Sequence, residues 1–114
     1  MKARKLNLKS YKVKRQKLED GKVIDSKEVY DIKDIIPNIM CHPLLKHNGF
    51  RFHTIAKLAD RIKDCAEDFI VLDIADYETM KKCFDDFQGY GRNDVEMVHR
   101  IYEAEEIDVE EKKK

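Results

Sequence analysis

The sequence lacks tryptophan and is poor in residues that break regular structure, with four glycines and two prolines among 114 residues. No apolar run approaches the roughly 18 residues of a membrane-spanning helix. The three cysteines, at positions 41, 65 and 83, form no CxxC pair, and their odd number argues against a disulfide framework. A basic stretch without an apolar core follows Met1, which predicts no secretory signal. We therefore expect a cytoplasmic, membrane-free protein.

Net charge is also absent, because 23 basic residues balance 23 acidic ones. The charges are nevertheless separated along the chain. Residues 1–22 carry nine Lys or Arg and two acids, whereas residues 103–111 carry six acids and no base. This asymmetry predicts either electrostatic contact with a partner or pairing within the chain.

Alternating apolar and lysine residues over 6–14 predict a half-buried strand, with a slip near Ser10 that is typical of a bulge. Asp20-Gly21 is a turn signal, and the alternation near residues 27–32 predicts a second strand. These strands form an N-terminal β-hairpin. The span between them is long and polar, so we expect a loose loop at its tip.

Apolar residues recur at helical spacing in the rest of the chain, apart from a four-residue apolar run at Phe69–Leu72 that predicts a short buried strand. The expected helices are one from near Asp34 that has Pro37 in its first turn and that Pro43 ends, one from about 51 to 66, one from the N-cap Asp73 to about Gln88, and one that Asn93 opens.

The predicted fold is α+β, with the hairpin and the short strand paired and packed against three or four helices. We expect a single domain over residues 1–105 and a charged C-terminal tail over residues 106–114. Within that tail, Ile107 and Val109 either add an edge strand or dock on a partner.

The densest chemical cluster is formed by Cys41, His42, His47 and His53. Imidazole and thiolate are zinc ligands, but the spacing matches no zinc-finger pattern, so we expect loop and capping histidines and no metal. A cysteine nucleophile would need His53 or His99 close to one of the thiols. Buried, unreactive thiols are the simpler interpretation, and we expect neither a cofactor nor an enzyme.

Three segments are candidates for contact with a partner: the Lys-rich first strand, the Gly89–Asp94 loop and the acidic C-terminal tail. The Gly89–Asp94 loop joins two predicted helices and offers Tyr90 and Arg92, but it lacks the further glycine and the lysine of a nucleotide-binding loop. The first strand displays lysines that either follow phosphates or protect a sheet edge from aggregation. The candidate partner-binding residues are Lys9, Tyr11, Lys12, Lys14, Arg15, Tyr90 and Arg92.

Five short segments stand in a recognisable order. They are Asn7–Tyr11 (Asn-Leu-x-x-Tyr), Tyr30–Asp34, His42-Pro43, Asn48-Gly49 and Gly89–Glu96. In this arrangement the chain resembles small proteins that tailed bacteriophages and prophages encode. The resemblance implies a non-enzymatic role in virion assembly or in contact with a host factor, and it assigns no catalytic residue.

Together these features predict a non-enzymatic protein-interaction module, an assembly or accessory factor of a phage or prophage. Its partner is a phage or host protein, with self-association left open, and it acts in the host cytoplasm or within a virion. The alternative is nucleic-acid binding through the basic first strand, which the neutral overall charge disfavours.

Overall fold

A computed structural model describes residues 2–109, although of Arg15, Lys17 and Glu19 it describes only the backbone. The fold is α+β, as predicted. Its strands are β1 (Lys2–Asn7), β2 (Tyr11–Glu19), β3 (Lys22–Tyr30), β4 (Phe69–Asp73) and β5 (Glu105–Asp108). Its helices are α1 (Ile32–Met40), α2 (Gly49–Lys63), α3 (Ile74–Asp86) and α4 (Val95–Tyr102), with short 3-10 turns at Pro43–Leu45 and Arg92–Asp94. No helix in the described part of the chain is long and apolar enough to cross a membrane.

The central sheet has three antiparallel strands in the order β4-β1-β5. Ile107 lies in β5, opposite Ala3 of β1. The segment around Ile107 therefore forms an edge strand, which was one of the two arrangements expected for it. Residues 110–114 of the predicted tail lie outside the described residues. The basic start and the acidic end of the chain thus meet in one sheet, where Lys2 Nζ lies 2.9 Å from Asp108 Oδ1.

The predicted strand over residues 6–14 is two strands, and this corrects both the bulge and the pairing expected from it. The slip near Ser10 is where the chain leaves β1 and enters β2. The Asn7 side chain accepts a hydrogen bond from Lys9 N–H at 2.9 Å, and such a local bond favours a turn over a continuous strand. As a result β4 pairs with β1 and not with the hairpin.

The hairpin of β2 and β3 is paired along its whole length, from Tyr11 opposite Tyr30 to Glu19 opposite Lys22. The expected loose loop is therefore wrong. Asp20 and Gly21 form the two-residue connection, with φ of 51° and 75°. Two positive φ angles in succession give a turn whose twist matches that of the flanking strands, so the strands stay paired up to it.

The helix ends differ from the predicted ones by a few residues. Asp31 caps α1, which therefore begins before Asp34 and carries Pro37 in its interior. At the other predicted ends, α2 stops at Lys63 and α3 at Asp86, and Asn93 lies in a 3-10 turn that precedes α4. The Asp73 cap is confirmed, since its side chain accepts a hydrogen bond from Asp76 N–H at 2.7 Å.

The core lies between one face of the central sheet and the helices. Leu6 and Leu72 of the sheet are fully buried, as is Phe84 of α3. Tyr77 of α3 is buried in this core, and its hydroxyl donates to the carbonyl oxygen of Ile101 in α4 at 2.6 Å. Hydrophobic burial in this single core is the main favourable contribution to the stability of the body.

The outer half of the hairpin lies away from this body, since every described side chain from Leu18 to Asp25 is exposed. The principal dimensions of the chain are 63 × 31 × 22 Å and its radius of gyration is 16.3 Å. A compact chain of this length has a radius of gyration of about 13 Å. We call residues 12–29, the hairpin beyond its first cross-strand pair, the arm.

Phe84→Ala should lower the free energy of unfolding by about 3–5 kcal/mol, because it leaves a cavity in the core. Phe50→Ala is the matched control, since Phe50 is 87% exposed, and its effect should stay within about 0.5 kcal/mol. Urea denaturation measures both. Equal losses for the two variants would contradict the position of Phe84 in the core.

Candidate partner-binding site

Two stacked tyrosines hold the arm to the body. The ring centroids of Tyr11 and Tyr30 are 5.0 Å apart. The Tyr11 hydroxyl donates to the carbonyl oxygen of Asn93 at 3.3 Å and accepts from Met97 N–H at 3.1 Å. The Tyr30 hydroxyl donates to the carboxylate of Asp94. Burial raises the pKa of Tyr11, so this hydroxyl stays protonated and able to donate.

Arg100 of α4 completes this attachment. Its guanidinium lies 5.0 Å from the centroid of the Tyr11 ring, and its Nη1 donates to the carbonyl oxygen of Lys9 at 2.5 Å. The Asn93 side chain also donates to the carbonyl oxygen of Lys14, at 3.4 Å. The base of the arm is therefore fixed by side chains from the start of α4 and the turn before it.

The structure brings two of the predicted contact segments together, since the Gly89–Asp94 loop meets the base of the arm. Arg92 is exposed there. Tyr90 is half-buried, stacks on Phe84 at 6.2 Å between ring centroids and donates its hydroxyl to the Phe84 carbonyl at 2.8 Å. Burial raises the pKa of Tyr90. Tyr90 and Tyr11 therefore support the fold around the arm, and Arg92 is the exposed side chain of this loop.

One face of the arm is rich in lysine. Cross-strand partners share a face, which places Lys12 opposite Val29 and Lys14 opposite Lys27. All three lysines are exposed, and none has a carboxylate partner among the residues that the structure describes. We call this surface, formed by Lys12, Lys14 and Lys27, the lysine face. Two like charges directly opposite each other destabilise a ribbon.

The end of the arm is apolar. Leu18 is 77% exposed and lies opposite Val23, which is 63% exposed. Ile24 is exposed next to them on the opposite face, whereas the exposed Val29 lies apart from this pair, at the base of the arm opposite Lys12. Monomeric proteins expose single apolar side chains routinely, but a contiguous group of them marks a contact surface.

Within the hairpin, the candidate contact residues predicted from the sequence all lie on the first strand or just before it, and the side chains of β3 that share the lysine face were missed. The Asp-Gly turn that predicted the hairpin could have located these side chains, because a two-residue turn fixes the strand register. That register places Val23, Lys27 and Val29 on the same face as the lysines of β2. Lys9 is exposed just before β2. The side chain of Arg15 lies outside the described residues.

The cysteine and histidine cluster does not converge. His42 caps the first 3-10 turn by accepting from Leu44 N–H at 3.1 Å, and His53 is exposed on α2. His47 Nε2 lies 3.0 Å from the Met40 carbonyl oxygen and 3.9 Å from Cys83 Sγ. In residues 2–109, no group of three His, Cys, Asp or Glu is placed to hold a metal ion.

The thiol next to His47 is poorly suited to nucleophilic chemistry. Burial, and secondly the nearby Asp86 carboxylate, raise the pKa of Cys83 to about 11. Because the thiolate is the reactive form, a thiol with this pKa is protonated and inert near neutral pH.

Cys83 should therefore react with iodoacetamide at pH 8 much more slowly in the folded protein than in urea. Cys65 is only partly buried and serves as the internal control that reacts earlier. Peptide mass spectrometry over a time course measures both rates. A Cys83 that is labelled as fast as Cys65 would show an accessible, activated thiol.

Comparison of the chain with protein-family models, curated proteins and solved structures finds no match. The resemblance to small proteins of tailed phages is therefore supported by the sequence pattern alone.

Proposed function

We propose that the chain is a non-enzymatic protein-interaction module that binds its partner through the arm. The observation that carries this proposal is the exposed aliphatic end of a paired ribbon, where Leu18 and Val23 lie side by side at 77% and 63% exposure. Burying these side chains in a partner gains hydrophobic free energy that the isolated chain does not obtain.

The way the arm is built supports this role. A two-stranded hairpin is marginally stable in water by itself. Here its base is held by the Tyr11–Tyr30 stack and by Arg100, while the rest projects from the body. An arm that is already ordered loses less conformational entropy on binding than a flexible loop does.

The chemistry of the arm favours a protein partner over nucleic acid. Residues 12–29 contain no aromatic side chain on which a base could stack. The turn at the end of the arm carries Asp20 next to the exposed Leu18, where a phosphate-binding surface would need positive charge. A partner protein with an acidic surface would complement the lysine face, and an apolar depression in that surface would take up the apolar end of the arm.

Within this proposal the chain is an assembly or accessory factor encoded by a phage or prophage, acting in the host cytoplasm or in a virion. The phage assignment is supported only by the ordered segments of the sequence. The arm supports the interaction itself and is compatible with a phage or a host protein as partner.

Replacing Leu18 and Val23 by threonine should abolish capture of the partner, because threonine keeps the strand propensity but removes the apolar contact. The measurement is affinity capture by the tagged full chain from nuclease-treated lysate of the producing cells, read by mass spectrometry. Leu44→Thr is the matched control, since Leu44 is 70% exposed outside the arm. Capture of the same proteins by both variants and by the unaltered chain would refute the role of the arm.

A second candidate function is nucleic-acid binding, and the juxtaposition of Lys14 and Lys27 favours it. A two-stranded ribbon fits the major groove of duplex DNA, and an anion between these lysines would relieve their repulsion.

If this second function holds, Lys12, Lys14 and Lys27 contact about three phosphates, and log affinity for a duplex falls against log salt with a slope of about −2.7. Fluorescence anisotropy with a labelled duplex measures the slope. Lys14→Glu with Lys27→Glu should remove binding, whereas the same reversal at Lys57 and Lys82 on the helices should not. A slope near zero would exclude the lysine face as a phosphate contact.

A further inference from the structure

A groove of about 540 Å³ lies beside the base of the arm, between the central sheet and α4. Four carboxylates line it, together with one aromatic ring and a few basic side chains. The carboxylates are those of Asp68, Glu96, Glu103 and Glu105.

The cations of the groove do not balance these carboxylates. Lys5 Nζ lies 4.6 Å from the centroid of the Phe69 ring, and Arg100 Nε donates to Glu96 at 3.0 Å. Lys5 and Arg100 are the lysine and arginine among the residues that line the groove. His99 Nδ1 lies 3.6 Å from Glu103 Oε2. With His99 neutral, the groove carries two more negative charges than positive ones, next to the half-exposed ring of Phe69.

The lysine face has the opposite character. It carries Lys12, Lys14 and Lys27 against one carboxylate, Asp25, and it includes exposed aliphatic side chains. The arm and the groove are therefore complementary both in charge and in apolar content. The arm of the same chain does not fill the groove, because none of these lysines pairs with a groove carboxylate in the described residues and the arm projects from the body.

Arg100 connects the groove to the base of the arm. Arg100 lines the groove, lies over the Tyr11 ring and donates to the Lys9 carbonyl at the base of the arm. The acidic groove thus begins where the arm leaves the body. Two copies related by a two-fold axis near this point would each offer an arm to the groove of the other, which is the self-complementary arrangement of a closed dimer.

We propose that the lysine face of one chain lies in the acidic groove of a second copy, and reciprocally, to form a two-fold dimer by exchange of arms. The proposal rests on the arm being the contact element and names the chain itself as the partner. The absence of net charge supports it, because two copies do not repel each other over distance while their opposite charges attract.

Two sets of charge reversal test the contact from both sides. Lys14→Glu with Lys27→Glu alters the arm, and Glu103→Lys with Glu105→Lys alters the groove. Each set alone should weaken the dimer by roughly tenfold or more, because it places like charges opposite each other. An equimolar mixture of the two should dimerise again, since the acidic arm of one variant then meets the basic groove of the other.

Sedimentation velocity of the nuclease-treated full chain measures the dimer at low and high salt, where we expect dissociation as salt rises. Lys57→Glu with Lys82→Glu is the control for charge reversal by itself, and it should dimerise as the unaltered chain does. Circular dichroism of every variant shows whether the fold is kept.

A chain that stays monomeric at all concentrations and salts overturns the proposal, as does a dimer that neither reversal weakens or a mixture that stays monomeric. Association that requires nucleic acid overturns it as well. A monomer whose arm still captures another protein would refute the dimer but leave the interaction module standing. A monomer whose captured proteins do not depend on Leu18 and Val23 would refute both.

Discussion

The attachment of the arm through the Tyr11–Tyr30 stack is the interaction on which the position of the arm depends. An exposed two-stranded ribbon has no core of its own to orient it. The stacked rings form the cross-strand pair at the base of the hairpin, and the Tyr11 hydroxyl bonds to Asn93 in the turn before α4 and to Met97 of α4. The orientation of the lysine face and of the acidic groove is therefore set by the same few side chains around Arg100.

The charge asymmetry of the chain has two different structural outcomes. At the start of the chain it is neutralised internally, because β1 pairs with β5 and Lys2 bonds Asp108. This bond raises the pKa of Lys2 and lowers that of Asp108. Both groups are fully exposed, so the pair adds little stability. In the arm, Lys14 and Lys27 receive no such partner from the described residues.

Local signals in the sequence predicted the elements well, and long-range pairing was where prediction failed. Alternation placed Leu6, Leu8 and Val13 correctly in the interior, and Asp73 was recognised as a cap because its effect is confined to one turn. The bond from Lys9 N–H to Asn7 is a local turn signal, but whether the chain bulges at Ser10 or ends a strand there also depends on β4 and β5 arriving as partners of β1. The groove was not predicted for the same reason: Asp68 and Glu105 are far apart in the sequence and meet only through that sheet.

The position of β1 between β4 and β5 also orders events during synthesis of the chain. β1 is made first, but its partner strands begin at Phe69 and Glu105, so the central sheet cannot form until almost all of the described chain has left the ribosome. The hairpin of β2 and β3 closes through a two-residue turn, and such local closure takes microseconds. On the nascent chain the arm can therefore close transiently well before the body that later holds it exists.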